Sequence, residues 1–371
     1  MLAASSEQRL QQIAQARQAV LRDGTGLPGM LTEPWIERSW QRCLASGKKP
    51  EHEVSFDVVL PQTLRRTEEA NHVLVQAARP VLEKLGAAIA STRYFAILTN
   101  AQGVVVDVNG AIDRRDRRAD LITRIGVDLS EQSLGTTAIG AALTELQPVW
   151  LHRGEHFFNA TSVYSCAGAP LFGPDGRCAG MLDLTGVDAF ERPELKHMVV
   201  QSARSIENVL MQTKPHHLLI RLNWSSHSLG DDMDGLVCLD QDGWVTGANP
   251  AARQMVSALQ AGNPPAVHCS ELFAMPYEML FDAAMSDTLG YPQAIDVPLW
   301  SGLRLHALPL LRGRAVAPGR ATPTPVLPLK EVETALIRKA VSEAGGNVMK
   351  AARALGISRA TVYRRLGGKT K

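Results

Sequence analysis

Four groups of residues in this 371-residue chain have types and spacings that chemistry uses. Arg359, Thr361, Tyr363, Arg364 and Arg365 crowd together near the C terminus, interleaved with apolar Ile357, Val362 and Leu366. On a helix the apolar set plugs into a core, and the guanidinium and hydroxyl groups stand free for phosphate oxygens and base edges. His152, Glu155 and His156 carry metal-ligating atoms. They sit at a strand-to-loop transition, however, where a four-residue spacing does not place them on one face, and Glu155-His156-Phe157 reads as capping and packing. Cys166 and His156 are a thiol and an imidazole with no residue evident to orient them as a nucleophile pair. Gly24-Thr25-Gly26-Leu27-Pro28-Gly29 matches G-x-G-x-x-G. It follows a helix rather than a strand and contains a proline, so it reads as a loop, not a phosphate cradle. No set is read as catalytic, as a metal site or as a cofactor site.

The arginine set needs elements to hold it, and the sequence supplies three short helices. Val332, Leu336, Ile337, Ala340 and Val341 recur at helical spacing over about residues 330–344, and Gly345-Gly346 stops that helix. Asn347 is placed to cap a second helix from Val348 to about Leu355. Gly356 allows a tight turn, and Ser358 caps a third helix ending near Leu366. Ala352 is small enough for the third helix to approach it. Charge agrees: from Lys330 onward ten cations face three anions, a net +7, leaving −5 on residues 1–329 of a chain whose total is +2. A short helix with a buried face and an arginine-rich open face is what a helix-turn-helix offers to a major groove. The segment resembles the Fis-type helix-turn-helix that ends bacterial enhancer-binding regulators. The likeness rests on Gly346, Asn347, Ala351, Ala352, Leu355, Gly356, Ile357, Ser358, Arg359, Thr361, Tyr363, Arg364 and Leu366. Asn347, Ser358, Arg359, Thr361, Tyr363, Arg364 and Arg365 are the expected contacts to double-stranded DNA.

Composition, 45% hydrophobic and 20% charged, describes a soluble globular protein of two or three domains. The five cysteines show no C-x-x-C and suit a reducing cytoplasm. Residues 1–22 lack the apolar core of a signal peptide, and no apolar run approaches membrane-spanning length, so a cytoplasmic chain without membrane partners is expected.

In chain order, residues 5–22 read as a helix, and Pro34 opens a second one burying Ile36, Trp40 and Leu44. Residues 57–91 are expected to be helical, with Pro80 as an internal start. Period-two alternation then predicts strands over 94–99, 104–108, 148–152, 162–172 and 177–186, with a helix over 134–143. Gly173-Pro174-Asp175-Gly176 is a turn between strands. Pairing outward from it leaves Cys166 and Cys178 out of register for a disulfide. A helix over 193–211 closes the unit.

This order resembles a GAF domain. The likeness is carried by Leu134-Gly-Thr-Thr-Ala-Ile-Gly, Pro148-Val-Trp-Leu-His, Gly154-Glu-His-Phe157, Ser165-Cys-Ala-Gly-Ala-Pro170 and Gly180-Met-Leu-Asp-Leu-Thr-Gly186. Together with Glu37-Arg-Ser-Trp-Gln-Arg-Cys-Leu-Ala-Ser-Gly47 they resemble the acetoin-catabolism activator group of sigma-54-dependent regulators over about residues 34–211. The resemblance implies a small-molecule pocket, with Phe95, Trp150, His152, His156, Phe157, Tyr164 and Cys166 as its candidates. Residues 231–311 resemble a PAS domain in Gly235-Leu-Val-Cys-Leu-Asp240 and in the Asn249-Pro-Ala-Ala252 that follows a second strand. His216-His217 is expected to lie between domains. The expected architecture is therefore α+β and multidomain: an N-terminal helical segment (1–56), a GAF-like sensor (57–212), a PAS-like domain (213–311), a Pro/Gly/Ala linker (312–328) and an all-α Fis-type unit (329–371).

Most regulators with this head and tail carry a central AAA+ ATPase between them. No G-x-x-x-x-G-K-[ST] loop occurs in these 371 residues. The expectation is a ligand-responsive, DNA-binding transcriptional regulator without enzymatic activity, working as a homodimer. Alternatively the chain is an accessory or antagonist that competes or pairs with a full-length sigma-54 activator.

Overall fold

The computed structural model describes residues 2–22, 32–56, 59–260, 267–285 and 294–312, and, towards the C terminus, 337, 341, 347–354, 357–359 and 361–362. Contacts divide the chain into two units, Met1–Arg314 and Ala315–Lys371. Gly24–Gly29, most of the linker and the first helix expected near the C terminus fall largely outside the described residues.

The first unit opens with α1 (Leu2–Arg17), continued by a π-helical turn Gln18–Arg22, then α2 (Pro34–Ala45), α3 (Pro61–Ala70) and α4 (His72–Ile89). The helical stretch expected over 57–91 breaks at Asn71 and not at Pro80; the Asn71 side-chain amide donates to Thr67 O at 2.7 Å and ends α3. Pro80 does not start a helix. It lies inside α4 on the exposed side, as does Gln76 one turn before it, the residue whose carbonyl would otherwise accept its N–H.

Five strands follow: β1 (Tyr94–Asn100), β2 (Val105–Gly110), β3 (Val149–His152), β4 (Tyr164–Phe172) and β5 (Cys178–Val187). They form one antiparallel sheet in the order β2-β1-β5-β4-β3. Between β2 and β3 come α5 (Arg117–Ile122), α6 (Glu131–Leu134) and α7 (Ala138–Glu145), and α8 (Leu195–Thr213) follows β5. The pleat sorts side chains to two faces. Phe95, Ile97, Val149, Leu151, Tyr164, Cys166 and Met181 turn towards α2, α5, α6 and α7. Tyr94, Ala96, Leu98, Trp150, Ala167, Ala169, Leu171, Leu182 and Leu184 turn towards α4 and α8. Gly135 precedes α7 at φ 61° and ψ −151°, a backbone state open to glycine, and a Cβ there would lie 3.1 Å from the Phe157 Cβ. That is why α7 starts at Ala138, capped by Thr137, and not at Leu134.

The N-terminal helices are bound to this sheet. Ile13 and Ala16 are buried, and Trp40 Nε1 donates to Glu155 O at 2.9 Å. Arg42 of α2 pairs with Glu131 at 2.7 Å and Glu145 at 3.0 Å, tying α2 to α6 and α7.

A second antiparallel sheet is built from β6 (Leu218–Asn223), β7 (Gly235–Leu239), β8 (Val245–Ala248), β9 (Ile295–Pro298) and β10 (Arg304–Leu311), in the order β8-β7-β6-β10-β9. Short helices α9 (Pro250–Met255), α10 (Cys269–Leu272) and α11 (Glu278–Met285) cover one face, over Leu218, Ile220, Leu222, Val237 and Leu305. β6 was not expected, yet it is the central strand. It starts directly after His217, which is exposed, and six residues with no turn signal of their own gave no sequence cue.

α8 joins the two sheets. Met211 at its end packs with Leu219, Leu236, Cys238 and Leu310 of the second sheet. Asn249 knots the joint: its Oδ1 accepts from Leu236 N at 2.9 Å and Ala252 N at 2.8 Å, and its Nδ2 donates to Asn208 Oδ1 and Asp234 O, both at 2.9 Å.

In the C-terminal unit α12 (Val348–Ala354) packs Ala352 against Ile337 and Val362, flanked by Val341, Val348 and Ile357. Among the described residues no helix is long and apolar enough to cross a membrane.

Asn249→Ala is expected to cost about 2–4 kcal/mol, because several buried groups lose partners together. Chemical denaturation checks this, and a loss below about 0.5 kcal/mol would remove Asn249 as the knot.

Candidate ligand cavity and nucleic-acid interface

The side of the first sheet that faces α5, α6 and α7 encloses a cavity of about 30 Å³, room for a group of about two waters' size. One wall is apolar: Ile97, Ile122, Leu129, Leu134, Ala138 and Ile139. The other is a polar strip across β4 and β5, with His156 from the loop after β3. The register explains the strip. Cys166 stands opposite Thr185 and Gly168 opposite Asp183, and cross-strand partners share a face. A Cβ at Gly168 would lie 2.6 Å from Met181 Cε and 3.2 Å from Ala138 O, so glycine there lets α7 and Met181 close in on β4.

Hydrogen bonds run along the strip. His156 Nδ1 meets Arg153 O at 2.9 Å, so Nδ1 carries the proton and Nε2 is an acceptor. Nε2 lies 3.6 Å from Cys166 Sγ, which is 3.4 Å from Thr185 Oγ1. Thr185 donates to Asp183 Oδ2 in a short hydrogen bond. Asp183 is fully buried, and its Oδ1 has no hydrogen-bond partner among the described residues. Burial raises the Asp183 carboxyl to about 7 and lowers His156 to about 4. The same burial pushes the Cys166 thiol and the Tyr164 phenol up. Cys166 and His156 therefore do meet, but as a protonated thiol and a neutral imidazole, which is not a nucleophile's environment.

Of the seven residues expected to form a pocket, the fold brings His156, Tyr164 and Cys166 together around the cavity. Trp150 and His152 point to the opposite face, where their rings stack with centroids 6.4 Å apart and His152 Nδ1 meets Ser165 Oγ at 2.8 Å. Burial lowers His152 to about 4 as well. Phe95 and Phe157 belong to the surrounding core, Phe157 edge-on to Phe158. Asp183, Thr185, Thr137 and Thr161 were missed. A lone aspartate in the apolar run Met181-Leu-Asp-Leu184 was the available signal, together with the parity of pairing outward from the Pro174 turn.

The loop that carries His156 is held by α1. Arg17 donates to Gly154 O at 2.8 Å, His156 O at 2.5 Å, Phe157 O at 3.1 Å and Asn159 Oδ1 at 2.8 Å. Glu155 accepts from His152 N at 2.6 Å and pairs with Arg9 at 2.9 Å, yet burial outweighs that cation and lifts it to about 7. His152, Glu155 and His156 thus end on three different partners. Among the described residues no three His, Cys, Asp or Glu side chains gather as a metal site.

In the C-terminal unit Asn347 Oδ1 accepts from the N–H groups of Met349 and Lys350, both at 3.1 Å. Ser358 Oγ accepts from Thr361 N at 3.1 Å, and their hydroxyls meet at 2.9 Å. Ile357 N donates to Ala352 O at 3.0 Å across the turn. Arg359 is exposed, as are Lys350 and Arg353, while Thr361 is half-buried. Tyr363, Arg364 and Arg365 lie outside the described residues.

Asp183 sets a pH dependence whose sign can be worked out. Its folded value, about 7, is above its ordinary 3.8, so the folded chain holds that proton more tightly than the unfolded chain. That stabilisation is complete below about pH 4 and is lost as pH rises through about 7. Asn does not titrate. The stability of Asp183→Asn relative to the parent is therefore expected to climb between about pH 4 and 7 and then level off, as read by denaturation at a series of pH values. A difference independent of pH would show that the carboxyl is not charged at the cost of burial.

With this geometry in place, the relatives can be compared. The family model "MimR, N-terminal domain" matches residues 11–208, and "Bacterial regulatory protein, Fis family" matches residues 328–367. The acetoin catabolism regulatory protein of Cupriavidus necator is 30% identical over 260 residues, 68% of this chain and 38% of that protein. The acetoin dehydrogenase operon transcriptional activator AcoR of Bacillus subtilis is 30% identical over 179 residues, 47% of this chain and 29% of AcoR. The propane 2-monooxygenase operon transcriptional activator MimR of Mycolicibacterium goodii is 30% identical over 172 residues, 46% of this chain and 28% of MimR. The chain thus spans less than two-fifths of the length of these curated relatives. By the match over more than half its length, the chain belongs to the MimR N-terminal-domain family of bacterial transcriptional regulators, and it carries a Fis-family helix-turn-helix at its end.

Proposed function

We propose that this chain is a ligand-responsive, DNA-binding regulator that works without an ATPase of its own. A GAF-like sensor over 57–212 takes a small molecule in the cavity beneath β4 and β5. A PAS-like domain over 213–311 relays its state through α8, and residues 312–328 tether a Fis-type unit over 329–371. The observation that carries this reading is the pairing, in one chain, of a cavity lined by a polar strip with a helix-turn-helix whose exposed Arg359 follows a capped turn. The relatives named for acetoin and propane 2-monooxygenase operons favour a small aliphatic effector. The working form is a cytoplasmic homodimer reading two half-sites about 34 Å apart. The missing phosphate loop equally favours a second reading, an accessory protein that pairs or competes with an ATPase-bearing sigma-54 activator.

On DNA, Arg359 reads a base edge, Thr361 and Tyr363 reach base edges or sugar, and Arg364 and Arg365 hold phosphates. The caps at Asn347 and Ser358 present helix N-termini to the backbone. Binding of the full chain to its own upstream region against random DNA, across a salt series, tests this. A preference of about 10³ or more with a steep salt slope is expected. Equal affinity for both DNAs would overturn the reading, and binding only beside an ATPase-bearing relative would replace it with the accessory role. Arg359→Ala is expected to cost about 1–3 kcal/mol on the specific site and relax one position, whereas Arg365→Ala should weaken both DNAs alike. Equal losses on both DNAs for Arg359→Ala would remove it as the base reader.

A further inference from the structure

We propose that the cleft between α8, the end of β4 and the loop before β7 is a second binding site, which takes an α-amino acid with an apolar side chain: Glu207 receives the ammonium and Arg204 the carboxylate. The cleft measures about 390 Å³, a size that small-molecule sites use. Ala169 and Ala203 in its wall belong to the α4 and α8 face of the first sheet, so it lies on the opposite side from the cavity beneath β4 and β5. Leu146, Trp224 and Met233 line it and are each about half-exposed, at 50%, 50% and 49%. Apolar surface of that size left open at a concave site gains by being covered.

The polar side chains of the wall fall into two sets. One set is closed on itself. Asn208 Nδ2 donates to Asp232 O at 2.9 Å, Asn249 Nδ2 donates to Asn208 Oδ1 at 2.9 Å, and Asp232 Oδ2 accepts from Ser205 Oγ at 2.5 Å. The other set is open. Glu207 is 6% exposed, and its Oε1 accepts from Phe172 N at 2.9 Å. Among the described residues its Oε2 has no hydrogen-bond partner, and unlike Asp183 Oδ1 it is not sealed from solvent, so it opens onto the cleft. Arg204, one turn earlier on α8, meets the Met233 sulfur at 2.7 Å and has no carboxylate partner among the described residues. Glu207 is thus held towards the first sheet and Arg204 towards the loop before β7, with the cleft between them.

Burial raises the Glu207 carboxyl to about 7, against the pull of the Phe172 N–H and Arg204. The Cys178 thiol that feels it from β5 is pushed up by burial and stays neutral. An ammonium at Oε2 supplies the counter-charge that burial withholds. A bare amine would set a like charge beside Arg204, and a bare carboxylate would meet Glu207 and Asp232. A zwitterion matches both open groups, with its side chain over Trp224 and Met233.

The test uses three probes of one carbon skeleton on the full chain: leucine, isopentylamine, which lacks the carboxylate, and 4-methylpentanoate, which lacks the ammonium. Ligand-observed NMR titrations at about pH 8, where Glu207 is ionised and the amines are still protonated, give their affinities. Leucine is expected to bind about tenfold or more tighter than either of the others. That comparison needs no variant. In Arg204→Gln, a change at a half-buried position, leucine should fall to the level of isopentylamine, whose own binding does not weaken. In Glu207→Gln it should fall to the level of 4-methylpentanoate. Isopentylamine binding as tightly as leucine would make the cleft a plain cation site and overturn the assignment. So would 4-methylpentanoate binding as tightly, leucine binding that Arg204→Gln leaves unchanged, or no saturable binding of any probe.

Discussion

Helix α8 is the constraint on which the larger unit depends. Its apolar stripe, Leu195, Val199, Ala203, Ile206 and Leu210, completes the core behind the first sheet. Its last turns serve the second sheet through Met211 and Asn208. One helix therefore belongs to two cores, and neither sheet can shift against it without breaking packed contacts. Proteins resist that kind of deformation continuously and yield to it in steps, because packed interiors are dense. The carbonyl of Pro174, at the tip of the β4–β5 hairpin, adds a second tie by accepting from Ala248 N at 2.9 Å. The hairpin that carries Cys166, Asp183 and Thr185 at one end thus touches the second sheet at the other.

The polar groups buried in the first unit divide into two kinds. Most close a structural gap. Arg17 satisfies the carbonyls of the loop at 154–157, and Glu155 holds the turn after β3 through the His152 N–H. Arg42 spans Glu131 and Glu145 to fix α2 over α6 and α7. Asp183 is of the other kind. It is as deeply buried as any of them, and one of its oxygens, like Thr99 Oγ1 and Trp150 Nε1 elsewhere in the unit, meets no hydrogen-bond partner among the described residues.

Local signals in the sequence were legible where the local physics decides the outcome. Turn residues and alternation placed the five strands of the first sheet to within a few residues, and the caps at Asn347 and Ser358 follow from side chains that bond their own next turn. The break at Asn71 and the tolerance of Pro80 inside α4 were not legible, because both turn on which side of the helix faces water. β6 was hidden for a related reason. A short apolar run with no turn of its own is ambiguous until its neighbours, β7 and β10, are seen on either side of it.

By itself the sequence determined the kinds of element, the helix-turn-helix grammar of the C-terminal unit and the concentration of positive charge on it. Those depend on neighbours within a few positions. The tertiary structure alone decided which aromatic and titratable residues face one another. Trp150 and His152 share a strand with Leu151, yet the pleat sends them to the opposite side of the sheet from the cavity, while register brings Asp183 and Thr185 beside Cys166. Residue type is a local property, but a one-residue change in strand parity reverses the face, and only long-range pairing settles that parity.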